Sequence, residues 1–160
     1  MITPEAKPKH KILFLDVDGV LNNTKTLEEA ADRREFDPIC GVCLSHLKDI
    51  VEKTDVYIVL SSTWRLDKWN VKKLRRAFYD VGIHHNFPQT PNLNSERHFE
   101  IEDWLKRIAD PALVVVLDDD GDAKIQNVAP NIKEIFLQTS RHIGLDRATA
   151  DKAIEFLNQE

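Results

Sequence analysis

The chain has 160 residues, a formal net charge of −5, 42% hydrophobic residues and 31% charged residues. That is enough apolar material for one ordinary globular core, and the balance is too acidic for a generally basic nucleic-acid binder, leaving room only for a local basic patch. No apolar run reaches the ~18–20 residues of a membrane span, and the opening MITPEAKPKH lacks the apolar region of a signal peptide. The expectation is a single cytoplasmic domain over 11–160 behind a short lead-in at 1–10.

The first element is the apolar run from about Lys11 to Val17, which reads as a strand buried on both faces. Asp16, Val17, Asp18 and Gly19 follow at its exit. Two carboxylates there are costly unless a metal, a cation or dense hydrogen bonding holds their charge. In extended geometry, residues two apart point to the same side, and Gly19 permits a sharp turn. Residues 20–37, with LEEAADRRE in the middle, read as a loop or short helical flap over the carboxyl end of that strand.

Asp37-Pro38 has the form of a helix start, with Asp as N-cap and Pro at the first helical position, and the helix is expected to run to about Lys53. Asp55–Leu60 is the second strand, ending in Ser61, Ser62, Thr63, Trp64 and Arg65. A helix over about Asp67–Val81 ends at Gly82, where a left-handed residue is wanted. The proline-bearing stretch that follows reads as a loop with a short strand at Ile83–His85. Next come a helix from Ser95 or Glu96 to Ala109, a strand at Ala112–Leu117 and the acidic run Asp118, Asp119 and Asp120. A short helix near Ala123–Val128, a weaker strand at Lys133–Leu137 and a helix at about Asp146–Asn158 complete the chain.

Strands alternating with helices predict an α/β fold with a mainly parallel sheet, and such sheets bind ligands beyond the carboxyl ends of their strands. The three clearest strands end in Asp16 and Asp18, in Ser61 to Thr63, and in Asp118 to Asp120. Convergence of these groups at one edge is the main functional signal. Each also has a plainer reading. Ser61 could cap the turn after its strand, the acidic run could be a solvated loop, and Trp64-Arg65 could be a packing pair with a salt-bridged arginine. Cys40 and Cys43 form a CxxC with no strand before it and no further zinc ligands, so a helical core pair is favoured. His84-His85 reads as loop, and Trp69 and Trp104 as core or helix-packing residues.

FLDVDGVLN resembles the first motif of the haloacid dehalogenase (HAD) superfamily, hhhDxDGxL. LSSTWR is similar to its second motif, VVVLDDD to its fourth, and Arg97 sits where the third motif's Lys or Arg lies, with Lys124 as a competing candidate. DVDGVLN, SSTWR, EIEDWL and LDDD together resemble the small HAD phosphatase domains associated with RNA-repair proteins. The resemblance implies a three-layer, Rossmann-like HAD fold. It implies that Asp16 attacks phosphorus as nucleophile and that Asp18 acts as general acid and base. It also implies Mg2+ held by Asp16, the backbone carbonyl of Asp18, and Asp119, with Asp118 ranked second in the acidic pair. Ser61, with Ser62, would bind a phosphate oxygen, and a cation at Arg97 or Lys124 would neutralise its charge. By residue type, and apart from the resemblance, Trp64 and Arg65 beside that pocket are candidates to stack on a base or pair with phosphate of the substrate.

Residues 20–37 and 81–96 are each too short for a large cap domain. An open site favours a phosphate at the end of a large molecule, such as a nucleic acid or a protein, or a nucleotide closed in by the flap. Lys25, Arg33, Arg34 and Arg65 are candidates for a local positive rim. Two function classes follow: a magnesium-dependent phosphatase, and a weakly active or inactive HAD-fold protein that binds a nucleotide or phosphorylated signal molecule. An acid/base group at Asp18 favours the first, because a pure binder needs none there. No membrane and no obligate protein partner are expected.

Overall fold

A computed structural model describes residues 10–159. Apart from His10, the lead-in expected at 1–10 lies outside the described residues. Four strands form one sheet: β1 (His10–Leu15), β2 (Tyr57–Leu60), β3 (Ala112–Asp118) and β4 (Ile132–Gln138). Their order is β2-β1-β3-β4 and every pairing is parallel. Five α-helices connect and flank them: α1 (Thr24–Asp32), α2 (Gly41–Thr54), α3 (Lys68–Val81), α4 (Arg97–Leu105) and α5 (Arg147–Leu157).

The pleat splits the strand residues between two cores. Leu13, Leu15, Ile58, Leu60, Leu113, Val115 and Leu117 face a cluster that includes Leu47 and Ile50 of α2, Leu74 and Phe78 of α3, and Ala153 and Leu157 of α5. Ile12, Phe14, Val59, Val114 and Val116 face a smaller cluster with Ile101, Trp104 and Leu105 of α4. The result is the expected three-layer α/β architecture, with both faces of the sheet covered and no large cap. Trp104 is a core residue as expected, set edge-on to Phe14 at 5.6 Å. No helix among the described residues is long and apolar enough to cross a membrane.

From β1 the chain passes to β2 on one side, then returns to β3 on the other. This is the point where an open parallel sheet parts its loops and leaves a crevice. The register Leu15↔Leu117 brings Asp16 and Asp118 to the same level. The Asp16 amide donates to the Leu117 carbonyl at 3.0 Å, and the Ser61 amide donates to the Leu15 carbonyl at 3.0 Å.

Several boundaries differ from the sequence reading. β1 stops at Leu15, and Val17 to Leu21 form a turn closed by the Val20 and Leu21 amides on the Val17 carbonyl. The alternation that would put Asp16 and Asp18 on one side therefore does not extend to Asp18. α2 begins at Gly41 rather than at Asp37-Pro38. Asp37 is left-handed with φ 52°, and the Cys40 amide is drawn to the Leu21 carbonyl at 2.6 Å, so tertiary tethering keeps residues 37–40 out of the helix. Asp55 is the left-handed cap that ends α2, not the first residue of β2. No strand forms at Ile83–His85. Instead the chain meets the edge of β2 at Gln89, with the Leu60 amide on the Pro88 carbonyl and the Thr90 amide on the Leu60 carbonyl. α4 stops at Leu105, and the helix expected near Ala123–Val128 is only a single 3-10 turn at Gly121–Ala123. Gly82 caps α3 as expected, and Asp67, expected as its first residue, is its N-cap.

The flap contains α1, opened by a reciprocal Asn23–Thr26 capping box. The loop after β4 holds it down. The Thr24 amide donates to the Arg141 carbonyl at 3.1 Å, and the Leu145 amide to the Val20 carbonyl at 2.8 Å. Gly144 makes that approach possible, with φ +75° and a position where a Cβ would lie 2.7 Å from Cys43 Sγ. Gly144→Ala should therefore destabilise the fold by at least ~1–3 kcal/mol, read as a lowered melting temperature. An unchanged melting temperature would contradict the tether.

Candidate active site

The crevice between β1 and β3 holds buried carboxylates, which are costly to place away from water. Asp118 is fully buried and Asp16 is 4% exposed. Asp119 follows at the mouth, half-buried. Carboxylate oxygens of Asp16, Asp118 and Asp119 lie within 4.8 Å of one another. Arg97, the first residue of α4, crosses over from the other face of the sheet. Its Nη1 is 2.6 Å from Asp118 Oδ2 and 3.3 Å from Asp16 Oδ1. Of the two cations considered for this place, Arg97 makes the contact. Lys124 is exposed and forms no ion pair among the described residues.

The electrostatics follow from this crowding. Burial, with Asp118 adding like-charge repulsion, pushes the Asp16 carboxyl up to about 8, while Arg97 acts in the opposite direction. Burial likewise raises Asp118, and its bond to Arg97 opposes that rise. For Arg97, burial alone favours loss of the proton, but Asp16 and Asp118 outweigh it and hold the guanidinium charged. Two arginines, Arg97 against Asp16 and Asp118 and Arg141 against Asp119, face three carboxylates, which leaves room for further positive charge. A cluster of hard oxygen donors has the chemistry to hold a hard divalent cation such as Mg2+. Gly19 contributes to the fit: it adopts φ +79°, and a Cβ there would stand 2.4 Å from Asp119 Oδ2. The side chain of Asp119 can reach the turn only because that atom is absent.

Asp18 differs from Asp16 in every respect. It is exposed, and its Oδ1 accepts hydrogen bonds from Asn22 Nδ2 at 2.8 Å and Trp64 Nε1 at 3.2 Å. Both donors sit on one oxygen and leave Oδ2 free. Asn22 is fully buried, accepts from the Gly19 amide at 3.0 Å and donates to the Pro38 carbonyl at 3.2 Å, so it locks the turn that carries Asp18. Trp64 is held by the 3-10 turn Thr63–Leu66, which Ser62 caps through its hydroxyl at 3.1 Å. The Ser61 hydroxyl is buried without a hydrogen-bond partner among the described residues. A buried orphan hydroxyl at a strand exit marks a place where a ligand oxygen can complete the bonding.

Arg65 is not presented to the opening. Its guanidinium donates to the carbonyls of Ser61, Ser62, Thr90 and Pro91 and pairs with buried Glu100 at 2.9 Å. This is the salt-bridged packing arginine of the plainer reading, and it shapes the loop after β2. The flap cations are also partnered or turned to solvent: Lys25 lies 4.0 Å from Glu29 and Arg33 3.3 Å from Glu35. Cys40 and Cys43 are buried free thiols, Cys40 at the N-cap of α2 and Cys43 in its first turn, and burial pushes Cys43 up to about 12. His84 and His85 stack on Tyr79 and Tyr57 in the loop after α3. Trp69 corrects the sequence reading: it is 65% exposed and not a packing residue, because α3 turns Val71, Leu74 and Phe78 inward instead.

Sequence reasoning gave no role to four residues of the site. Asn22 stood inside the quoted stretch LDVDGVLN but carries no chemistry by type. Thr139, at the end of β4, donates its hydroxyl to the Gly19 carbonyl at 2.7 Å. Arg141 places its Nε 3.6 Å from Asp119 Oδ2. Glu100 neutralises Arg65. Thr139, Arg141 and Glu100 act across long stretches of chain, which no local pattern signals, whereas Asn22 acts within its own turn.

A stability prediction follows from Asp16. Its folded value lies above the ordinary carboxylate value of 3.8, so the folded state binds the extra proton. Stability from the neutral carboxyl is complete below about 3.8 and is lost as pH rises to about 8. In metal-free protein at pH above 8, Asp16→Asn should raise the melting temperature by at least ~3 °C, equivalent to about 1 kcal/mol for a chain of this size. A fall at that pH would contradict the account.

The family model for the HAD domain in Swiss Army Knife RNA repair proteins matches residues 12–150. No curated protein and no solved structure matches the chain. The match runs from β1 into α5 and takes in every strand exit that builds the site. The chain belongs to the family of HAD domains found in Swiss Army Knife RNA repair proteins.

Proposed function

We propose that the protein is a magnesium-dependent phosphomonoester hydrolase working through an aspartyl-phosphate, with the phosphorylated end of a nucleotide or nucleic acid as its substrate. The observation that carries this reading is the division of labour between two carboxylates at one strand exit. Asp16 is buried, bridged by Arg97 and gathered with Asp118 and Asp119. Asp18 is exposed, held by two donors on one oxygen and free on the other.

Mg2+ would be held by Asp16 and Asp119, with the Asp18 carbonyl as a further donor and Asp118 behind them. When bound, it would offset the repulsion between a carboxylate nucleophile and an anionic phosphate. Arg97 and the orphan Ser61 hydroxyl supply donors for the non-bridging phosphate oxygens. An oxygen of Asp16 attacks phosphorus, and the bond from phosphorus to the leaving oxygen breaks. Asp18 gives its proton to that oxygen, and the first product departs. A water then surrenders a proton to Asp18 and attacks the same phosphorus, releasing inorganic phosphate and regenerating Asp16. Trp64 and Asn22 aim the free oxygen of Asp18 and would not themselves touch the substrate. The absence of a large cap supports a substrate that extends beyond the crevice.

The test is turnover of p-nitrophenyl phosphate. Turnover should require magnesium and vanish with a chelator. Asp16→Asn should abolish it, and Arg97→Ala should lower kcat by about 10²–10³. Metal-independent turnover, or an active Asp16→Asn variant, would contradict the reading. A tightly retained nucleotide with no turnover of any phosphate ester would favour the binding protein instead.

A further inference from the structure

α3 concentrates positive charge in an acidic protein. It carries Lys68, Lys72, Lys73, Arg75 and Arg76 against one carboxylate, Asp80. All five cations are exposed. Arg76 is paired with Asp80 at 3.3 Å, and Lys73 donates to the Phe36 and Asp37 carbonyls, which ties α3 to the end of the flap. Lys68, Lys72 and Arg75 have no carboxylate partner among the described residues. All three attend an aromatic ring instead, Arg75 lying 5.5 Å from the centre of Phe87 and the two lysines over Trp69. Lys68 Nζ lies 5.3 Å and Lys72 Nζ 5.7 Å from the centre of the Trp69 ring, and Trp69 is 65% exposed. Further along, Tyr79 is equally exposed and stacks on His84 at 4.6 Å. Trp69, Tyr79 and His84 line one groove of about 630 Å³ between α3 and residues 83–87, with Lys72, Arg75 and Arg76 among its other walls.

Cations interleaved with exposed aromatic rings along a groove suit a single-stranded nucleic acid: the cations track phosphates and the exposed rings stack on unpaired bases. An acidic protein would use the charge but has no need of the ring faces. A membrane surface would use the charge but meets a groove rather than an apolar wedge. The placement also matters. α3 begins four residues after Trp64, the donor to Asp18, and descends from the carboxyl edge of the sheet. A strand laid along α3 therefore leads up to the crevice.

We infer that the exposed face of α3 and its groove bind a single-stranded nucleic acid and lead its phosphorylated end to Asp16. Binding stands on α3 alone; delivery of the end to Asp16 rests on the phosphatase reading. Fluorescence anisotropy with a labelled single-stranded oligoribonucleotide and its deoxy counterpart tests it across a salt series, with p-nitrophenyl phosphate turnover in parallel. The unaltered protein should bind both, more weakly as salt rises. Lys68→Glu with Lys72→Glu should weaken binding at least about tenfold and flatten the logarithmic salt slope by about 1.4, two contacts at ~0.7 each. Trp69→Ala should weaken binding about tenfold while leaving the slope in place. Turnover of the small substrate should be unchanged in both variants, since none of these residues belongs to the crevice.

Failure of the unaltered protein to bind either oligomer, or equal binding by all variants, would overturn the inference. So would preferred binding of phosphatidylserine vesicles or of polyglutamate. Binding that fails while turnover survives overturns this inference alone. Turnover that fails while binding survives overturns the phosphatase reading and leaves the surface standing.

Discussion

The structure depends on how it manages a cluster of like charges at the exits of two adjacent strands. Asp16 and Asp118 are driven to the same level by the β1–β3 register, and both are buried. Such a pair is unstable as two free carboxylates. Arg97 reduces the repulsion by bonding both, and burial keeps Asp16 largely protonated until about 8 in the absence of a further cation. A site of this kind gains most when a divalent ion arrives, because the ion relieves the same repulsion that the fold imposes. The chemistry proposed for the protein and the electrostatic tension in its core are thus one feature seen from two sides.

The remainder of the site is scaffolding for that cluster and for Asp18. Arg65, buried with Glu100, collects four carbonyls of the loops after β2 and before α4, and so fixes the positions of Ser61 and Trp64. Thr139 and Gly144 bring the loop after β4 against the turn at Gly19 and the flap. Asn22 closes the turn from inside. None of these residues performs chemistry in the proposed reaction. They decide instead where the free oxygen of Asp18 points and how closely Asp119 approaches Gly19.

Much of this is legible in the sequence alone. The apolar runs at residues 11–17, 55–60 and 112–117 announced buried parallel strands, and the polar groups at their exits announced one edge. The strand exits were readable because a parallel sheet leaves little choice about where its carboxyl ends gather. What could not be read depended on long-range pairing. Asp37-Pro38 has the chemistry of a helix start, yet the Cys40 amide is captured by Leu21 and the helix waits until Gly41. Arg65 looks like a substrate ligand by type and proves to be an internal strut, because Glu100 comes from a helix on the other face of the sheet. Trp69 looks like core by hydrophobicity and proves to be surface, because α3 buries the stripe of Val71, Leu74 and Phe78 instead. Arg97 was placed by resemblance, and its contacts with Asp16 and Asp118 follow from where α4 begins.

The central claim is that Asp16 is the nucleophile, and the most direct measurement is chemical trapping of its phosphate ester. Asp18→Asn should be mixed with magnesium and p-nitrophenyl phosphate, whose leaving group departs without a proton, then quenched in acid and reduced with borohydride. The account predicts that an aspartyl-phosphate accumulates, because the water that clears it has lost its base, and that reduction converts Asp16 to homoserine in the recovered peptide. Recovery of unmodified Asp16 during ongoing turnover, or of the phosphoryl group on any other residue, would contradict it.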